Sequence, residues 1–480
     1  MSCRFTKSEL VEVLTKVFPG DLVKISNLTS SGENKSGHKQ TVAEGLEFDS
    51  RQIKGGEIFI ALKGANTHGH QFISTAYQNG ASLLLVEDQK FLNESFKDAV
   101  IVVPDTQLAL WEIAKYWRNK LKLPTIAVTG SVGKTTTKEL MAAILVQKGP
   151  GCYAQKSFNN HVGVPYTILK SSPSHMWMVI EIGMNAPGEI KKLSDIASAD
   201  VSVVTEVAPA HIGAFSSIED IGVEKLSIVS GARHGTAFIV NGDNPIIEKL
   251  IPQLELDKNY KIITVGEDLK NQIRIDNIKS NGLDSISFRY NNKIELNVSI
   301  PGVHNAKNAA IACAAVKALW PEVTDQQLHD GLARFIAPLM RLNLKVTKKG
   351  IPILDDSYNA NPASMNAMLA IASDAKKAGK QIGLVVGTMR EMGQFAKKYH
   401  NELGQNIAKV NPQLVVLVGE HSLDIKEGIS CESSWSGQVF LADNAEQAAR
   451  IIQTEFKGDM LFVKGSRGIG LDKTVKLLVD

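Results

Sequence analysis

The chain runs to 480 residues, of which 44% are apolar and 21% charged, a globular composition with length enough for about three domains. Its 53 basic and 50 acidic residues leave a net charge of +3, which gives no ground for a polyanion or nucleic-acid partner. Four scattered cysteines without Cys-x-x-Cys spacing, a charged N-terminus and no apolar run near the ~20 residues that cross a bilayer point to a soluble, cytoplasmic protein with no membrane partner.

Residues 1–122 read as a smaller N-terminal α/β domain. A short helix over 8–17 precedes a polar loop over 26–40, and Asp49-Ser50-Arg51 reads as a turn with a solvated ion pair. A buried strand follows Gly55-Gly56, a helix spans 71–78, and strands over 82–86 and 100–103 alternate with helical segments.

Pro124 opens the second unit, 123–336. A β-branched strand, 125–129, runs into Gly130-Ser131-Val132-Gly133-Lys134-Thr135-Thr136, and a helix is expected over 138–147. Strand, glycine turn and helix N-terminus form a phosphate cradle, with Lys134 as a mobile charge and Thr135 placed for a magnesium ion. Val128 stands where the common pattern has its first glycine, so the loop is short. Downstream, Phe158-Asn159-Asn160 opens a short helix near Gly163-Val164-Pro165. The strand 177–180 ends at Glu181, and the strand 201–205 leads to His211. At strand ends above a phosphate loop, Glu181 and His211 are candidates for metal chemistry. Lys225 lies on a helix within 215–231 and would by itself be a solvated lysine. A strand over 236–241 follows, then alternating runs within 262–300 around Asn291-Asn292-Lys293, expected to be a small antiparallel insertion. An Ala-rich helix begins within Pro301 to Asn308 and reaches Ala318.

The third unit, 337–480, alternates strands over 342–346, 351–354, 382–386, 414–418, 439–441 and 460–463 with helices. That is a doubly wound, Rossmann-like sheet. The expected fold is therefore α/β in three domains, the central one a parallel P-loop ATPase-like sheet. Lys464-Gly465-Ser466-Arg467, at the end of the last strand, reads equally as a solvated turn or a cationic site.

Taken together, these motifs resemble the Mur ligases, ATP-dependent amide-bond formers of peptidoglycan precursor synthesis, from about Phe48 to the C-terminus. Thr129 to Thr136, Glu181, His211 and His304-Asn305-Ala306-Lys307-Asn308 carry the family resemblance, and this family uses the short loop. Asp355-Asp356-Ser357-Tyr358-Asn359-Ala360-Asn361-Pro362, Phe158-Asn159-Asn160, Gly183-Met184-Asn185 and Lys464-Gly465-Ser466-Arg467 resemble the branch that adds D-alanyl-D-alanine to UDP-N-acetylmuramoyl-tripeptide. The resemblance implies ATP on Gly130, Ser131, Val132, Gly133, Lys134, Thr135 and Thr136, with two Mg2+ sites, on Thr135 and on Glu181 with His211. It puts Asn305 and Asn308 near the adenine, and Arg341 and Asp356 over γ-phosphate and ribose. It puts Asn159 and Asn160 against substrate, with Tyr358, Asn359 and Asn361 on the acceptor side and Ser50 and Arg51 near the uridine diphosphate. Lys225 stands where the family carries a carbamylated lysine, and Lys134, Lys225, His211 and Glu181 form the catalytic set. A monomer that closes on hinges near 123–124 and 337–338 is implied.

Four departures stand out: Thr388 replaces an acid in Gly387-Thr388-Met389-Arg390-Glu391-Met392-Gly393, and Lys225-Leu226-Ser227-Ile228, Met340-Arg341 and His211-Ile212-Gly213-Ala214-Phe215-Ser216 differ from the usual runs. A ligase adding a diamino acid, or one of folylpolyglutamate synthetase type, is the alternative, against which the 358–362 run speaks.

Overall fold

The computed structural model describes residues 2–25, 42–64, 67–91, 96, 99–154, 157–233, 237–254, 260–433 and 435–480. The polar loop expected over 26–40 lies outside them.

Three α/β sheets follow one another along the chain, with a two-stranded ribbon, Arg4–Thr6 against Val42–Glu44, beside the first. The first sheet orders Lys24–Ile25, Val100–Val102, Leu83–Val86, Ile58–Ile60 and Leu46–Glu47, parallel except at its first pair. The helix that follows, Thr106–Leu121, packs on the helices Gly163–Leu169 and Glu189–Ala197 of the central sheet. Its buried Arg118 ties down the end of the second, Nε donating to Ala197 O at 2.8 Å and Nη2 to Ser198 O at 2.8 Å.

The central sheet has nine strands in the order Ile294–Val298, Ser285–Tyr290, Ile273–Asn281, Lys261–Gly266, Ala237–Asn241, Val201–Val204, Thr125–Thr129, Trp177–Glu181 and Gly151–Tyr153. Thr125–Thr129 is buried throughout, as a parallel strand covered on both faces must be. Successive side chains alternate between faces. Ile126 and Val128 pack with Leu140, Met141, Ala309 and Ala310, while Ala127 joins the opposite core with Ile168 and Ile190. Because its two neighbours are parallel, Thr129, Glu181 and Val204 finish on one edge.

Two expectations need correction. Within 262–300 the expected hairpin forms, Ser285–Tyr290 pairing antiparallel with Ile294–Val298 and with Ile273–Asn281, but it is continuous with the central sheet, because Lys261–Gly266 pairs parallel with both Ala237–Asn241 and Ile273–Asn281. Alternation marks a half-buried strand without naming its partner. The helix after the phosphate loop begins at Lys134 rather than Lys138, because Gly133, at φ +83°, turns the chain directly into it.

The third sheet orders Asn343–Val346, Pro352–Asp356, Met460–Lys464, Ile382–Gly387, Leu414–Val418 and Gln438–Ala442, parallel after its first pair. Asp356 and Lys464 therefore finish side by side, on an edge that faces the phosphate loop.

Candidate active site

The phosphate loop is fixed by close approach. A Cβ at Gly130 would lie 2.0 Å from Thr205 Oγ1, and Gly133 sits at φ +83°, left-handed backbone that favours glycine. The neighbouring strand end clamps the turn: Ser131 N donates to Glu206 O at 2.7 Å and Thr205 Oγ1 to Val132 O at 2.6 Å. The amides that open the helix Lys134–Leu145 have no intrahelical acceptor and carry the positive end of its dipole. Lys134 Nζ donates to Gly130 O at 2.6 Å. Burial lowers the pKa of this lysine, with nearby Arg341 adding to the effect and Glu181 opposing it.

Glu181 closes one wall. Its Oε2 accepts from Thr135 Oγ1 at 3.0 Å, and its Oε1 accepts from Asn159 Nδ2 at 2.8 Å. Lys138 Nζ, fully buried, lies 3.8 Å from Oε2 and 3.0 Å from Glu139 Oε1. A hydroxyl beside a carboxylate is a hard-oxygen donor pair. It fits Mg2+, which completes its shell from phosphate oxygens and water rather than from an all-protein cage. No cluster of three or more His, Cys, Asp or Glu side chains suited to a metal occurs among the described residues.

Lys225 is buried on the helix Ile218–Leu226 and lines the same cleft, with the charge of Glu224 favouring its ammonium form. Burial pushes its pKa well below the ordinary lysine value, and the Lys134 charge adds to that. A neutral amine is the form that can be carbamylated, so the site fits that modification. His211 also lines the cleft, and its Nδ1 pairs with Glu391 of the third sheet's loops.

The third sheet supplies the opposite wall. Met340 and Leu342, at φ +60° and +54°, flank Arg341 and turn it into the cleft. There Arg341 lies over the Tyr358 ring, 4.3 Å from its centroid, and Nη2 donates to Ser157 Oγ at 3.3 Å. Lys464 Nζ pairs with Asp356 Oδ2 at 2.5 Å and donates to Asn359 O at 2.9 Å. Asn361 caps the helix Pro362–Lys377 and reaches back with Nδ2 to Ser131 O at 3.4 Å. The cleft between the walls holds about 850 Å³. At its far end Asn308 Nδ2 donates to Asn305 Oδ1 at 2.9 Å, and Lys307 pairs with Asp243 at 2.6 Å.

Family profiles match three stretches: Mur ligase family, catalytic domain, over residues 42–118; Mur ligase middle domain over 128–316; and Mur ligase, glutamate ligase domain, over 340–467. The chain belongs to the Mur ligase family. It is 32% identical over 447 residues to the UDP-N-acetylmuramoyl-tripeptide–D-alanyl-D-alanine ligase of Bacillus subtilis, covering 92% of this chain and 94% of the relative. A crystal structure of MurF from Acinetobacter baumannii superposes with a TM-score of 0.84 at 27% identity, covering 99% of each chain. MurF from Thermotoga maritima in complex with ADP shares the fold, at a TM-score of 0.76 and 24% identity over 91% of this chain and 97% of that one.

In this Mur ligase the cleft gathers Ser131 to Thr136, Asn159, Asn160, Glu181, His211, Lys225, Asn305, Asn308, Arg341, Asp356, Tyr358, Asn359 and Asn361. Gly130 stands just behind, its carbonyl holding Lys134. Ser50 and Arg51 are not in the cleft. They sit on the N-terminal sheet's flank, where Arg51 forms a bidentate pair with Asp49 at 2.9 and 2.7 Å and Ser50 O accepts from Asn79 Nδ2 at 2.9 Å. Sequence reasoning missed Lys138 and Glu206. Lys138 falls one helical turn after Lys134, a spacing that could have revealed it. Nothing local marks Glu206, which Asn241, at the end of the next strand, and Asn244, capping the helix after it, hold. Of the even-handed tetrapeptide, Lys464 is buried in the site, while Arg467 is half-exposed and pairs with Asp472.

Proposed function

We propose that this chain is an ATP-dependent ligase joining D-alanyl-D-alanine to UDP-N-acetylmuramoyl-tripeptide, giving the pentapeptide precursor of peptidoglycan. One observation carries the reading: a short phosphate loop faces the Asp355 to Pro362 run across one cleft, with Asn361 touching the loop itself at Ser131 O.

The difficulty of the reaction is electrostatic, because a peptide carboxylate must attack the γ-phosphate of ATP. Lys134 and the amides from Gly130 to Thr136 hold and neutralise the phosphates in line. Arg341 and Asp356 close over γ-phosphate and ribose, and Asn305 and Asn308 bound the adenine end. Thr135 and Glu181 would hold Mg2+, and Glu181 with His211 a second ion, which would screen the phosphates and the incoming carboxylate. Carbamylated Lys225 presents an anion where the cation stood. The amine of D-alanyl-D-alanine, lined by Tyr358, Asn359 and Asn361, then attacks the acyl phosphate and expels phosphate. Asn159 and Asn160 steady the peptide end, and Ser50 and Arg51 meet the nucleotide-sugar tail on the N-terminal domain.

Domains at 1–122, 123–336 and 337–480 divide the work, in a cytoplasmic monomer that excludes water as it closes. A panel of amine acceptors, read by phosphate release with UDP-N-acetylmuramoyl-tripeptide and ATP, tests the reading. D-alanyl-D-alanine should be preferred; a preference for glutamate or a free diamino acid overturns it.

A further inference from the structure

His211 and Glu391 meet across the boundary between the central and third sheets, and both are held in left-handed backbone, at φ +56° and +64°. Neither residue adopts that conformation readily, and such strain persists only where the surroundings impose it. The imposed contact extends along the backbone: Gly213 N donates to Glu391 O at 3.0 Å, and a Cβ on Gly213 would lie 2.7 Å from Gly393 N. Two loops from two sheets are thus pressed together so closely that one side-chain carbon would part them.

Stability is a poor reason for this arrangement. The Glu391 side chain is 58% exposed, and ion pairs so open to water contribute little to stability. Orientation is a better one. A carboxylate packed against Nδ1 restrains how the ring can turn, as the partners behind metal-bound histidines do. Here the carboxylate comes from the other side of the cleft, so the ring is oriented only while the two loops touch.

We propose that Glu391 is a positioning residue: it aligns His211 for the second divalent cation and so links cation binding to closure of the third domain on the central one. The proposal rests on the ligase reading in assigning His211 to a cation. By reciprocity, a cation that binds the aligned ring better must favour the closed arrangement by the same factor.

The test is Mn2+ binding to the full chain with a non-hydrolysable ATP analogue, followed by electron paramagnetic resonance, with small-angle scattering on the same samples. Wild type should bind two Mn2+ and contract on filling the weaker site. Glu391→Ala should weaken that site by about 10- to 100-fold, the usual effect of removing a partner behind a metal-bound histidine, with the tighter site unchanged and the contraction lost. Glu391→Gln keeps a polar group of the same size against the ring and should lose less than tenfold. One Mn2+ in wild type, unchanged affinities in Glu391→Ala, or equal weakening of both sites overturns the proposal. Acceptor preference plays no part in this readout, so failure here leaves the ligase reading standing, and failure of the acceptor panel leaves these affinities measured.

Discussion

The Thr135 hydroxyl donates to Glu181 Oε2 at 3.0 Å, joining the first turn of the helix after the phosphate loop to the end of the adjacent parallel strand. Two residues 46 apart in sequence thereby form one oxygen pair on the same sheet edge. With Lys134 alongside, this corner concentrates the charge compensation the reaction needs. Lys134→Ala should lower the ligation rate by about 10²- to 10³-fold, the scale for losing one preorganised electrostatic contact. Phosphate release at saturating substrates measures it, with circular dichroism confirming the fold.

The Asp356–Lys464 pair is nearly buried, Lys464 exposing 3% of its side chain and Asp356 15%. Removing one partner strands the other charge in a low-dielectric wall. Asp356→Ala should therefore cost about 3–5 kcal/mol, far more than an exposed pair would. Urea unfolding reads it directly, and a loss below 1 kcal/mol would show that water reaches Lys464 freely.

Lys225 predicts a pH dependence with a definite sign. Its pKa in the folded chain is well below the ordinary 10.5, so between the two values the unfolded chain binds a proton that the folded one does not. Stability should rise with pH across that window and fall as pH drops towards the folded value. Lys225→Met should flatten this slope in part, the remainder coming from Lys134, whose pKa is also lowered. Denaturant midpoints from neutral to alkaline pH, without bicarbonate, decide it. With bicarbonate, intact mass should show one added carboxylate on the wild type and none on Lys225→Met.

Thr388 is buried with its hydroxyl unpartnered among the described residues. Val has the same shape without the orphaned group. Thr388→Val should be neutral or stabilising by up to about 1 kcal/mol, and a clear destabilisation would reveal a hidden partner. A thermal melt suffices.

Much of the fold could be read because its signals are local. The strand Leu414–Val418 has the residues its apolar run predicted, and Thr125–Thr129 likewise, because a parallel strand covered on both faces is apolar along its length. The pairing of Lys261–Gly266 was hidden, since partner choice lies in no single segment. The helix start at Lys134 was hidden too, because it depends on one backbone angle at Gly133.

The sequence by itself determined the phosphate loop, its glycines, and the acids and amides that stand at strand ends. Those follow from short-range chemistry: a turn that needs positive φ, a helix N-terminus, a hydroxyl after a lysine. Only the tertiary structure decided which of these groups share a space. It put Lys138 beside Glu181, Lys464 beside Asp356 and Glu391 on His211, and it kept Ser50 and Arg51 out of the cleft. The physical reason is that each meeting depends on strand order and on the packing of one sheet against another, which pairwise burial settles across hundreds of residues.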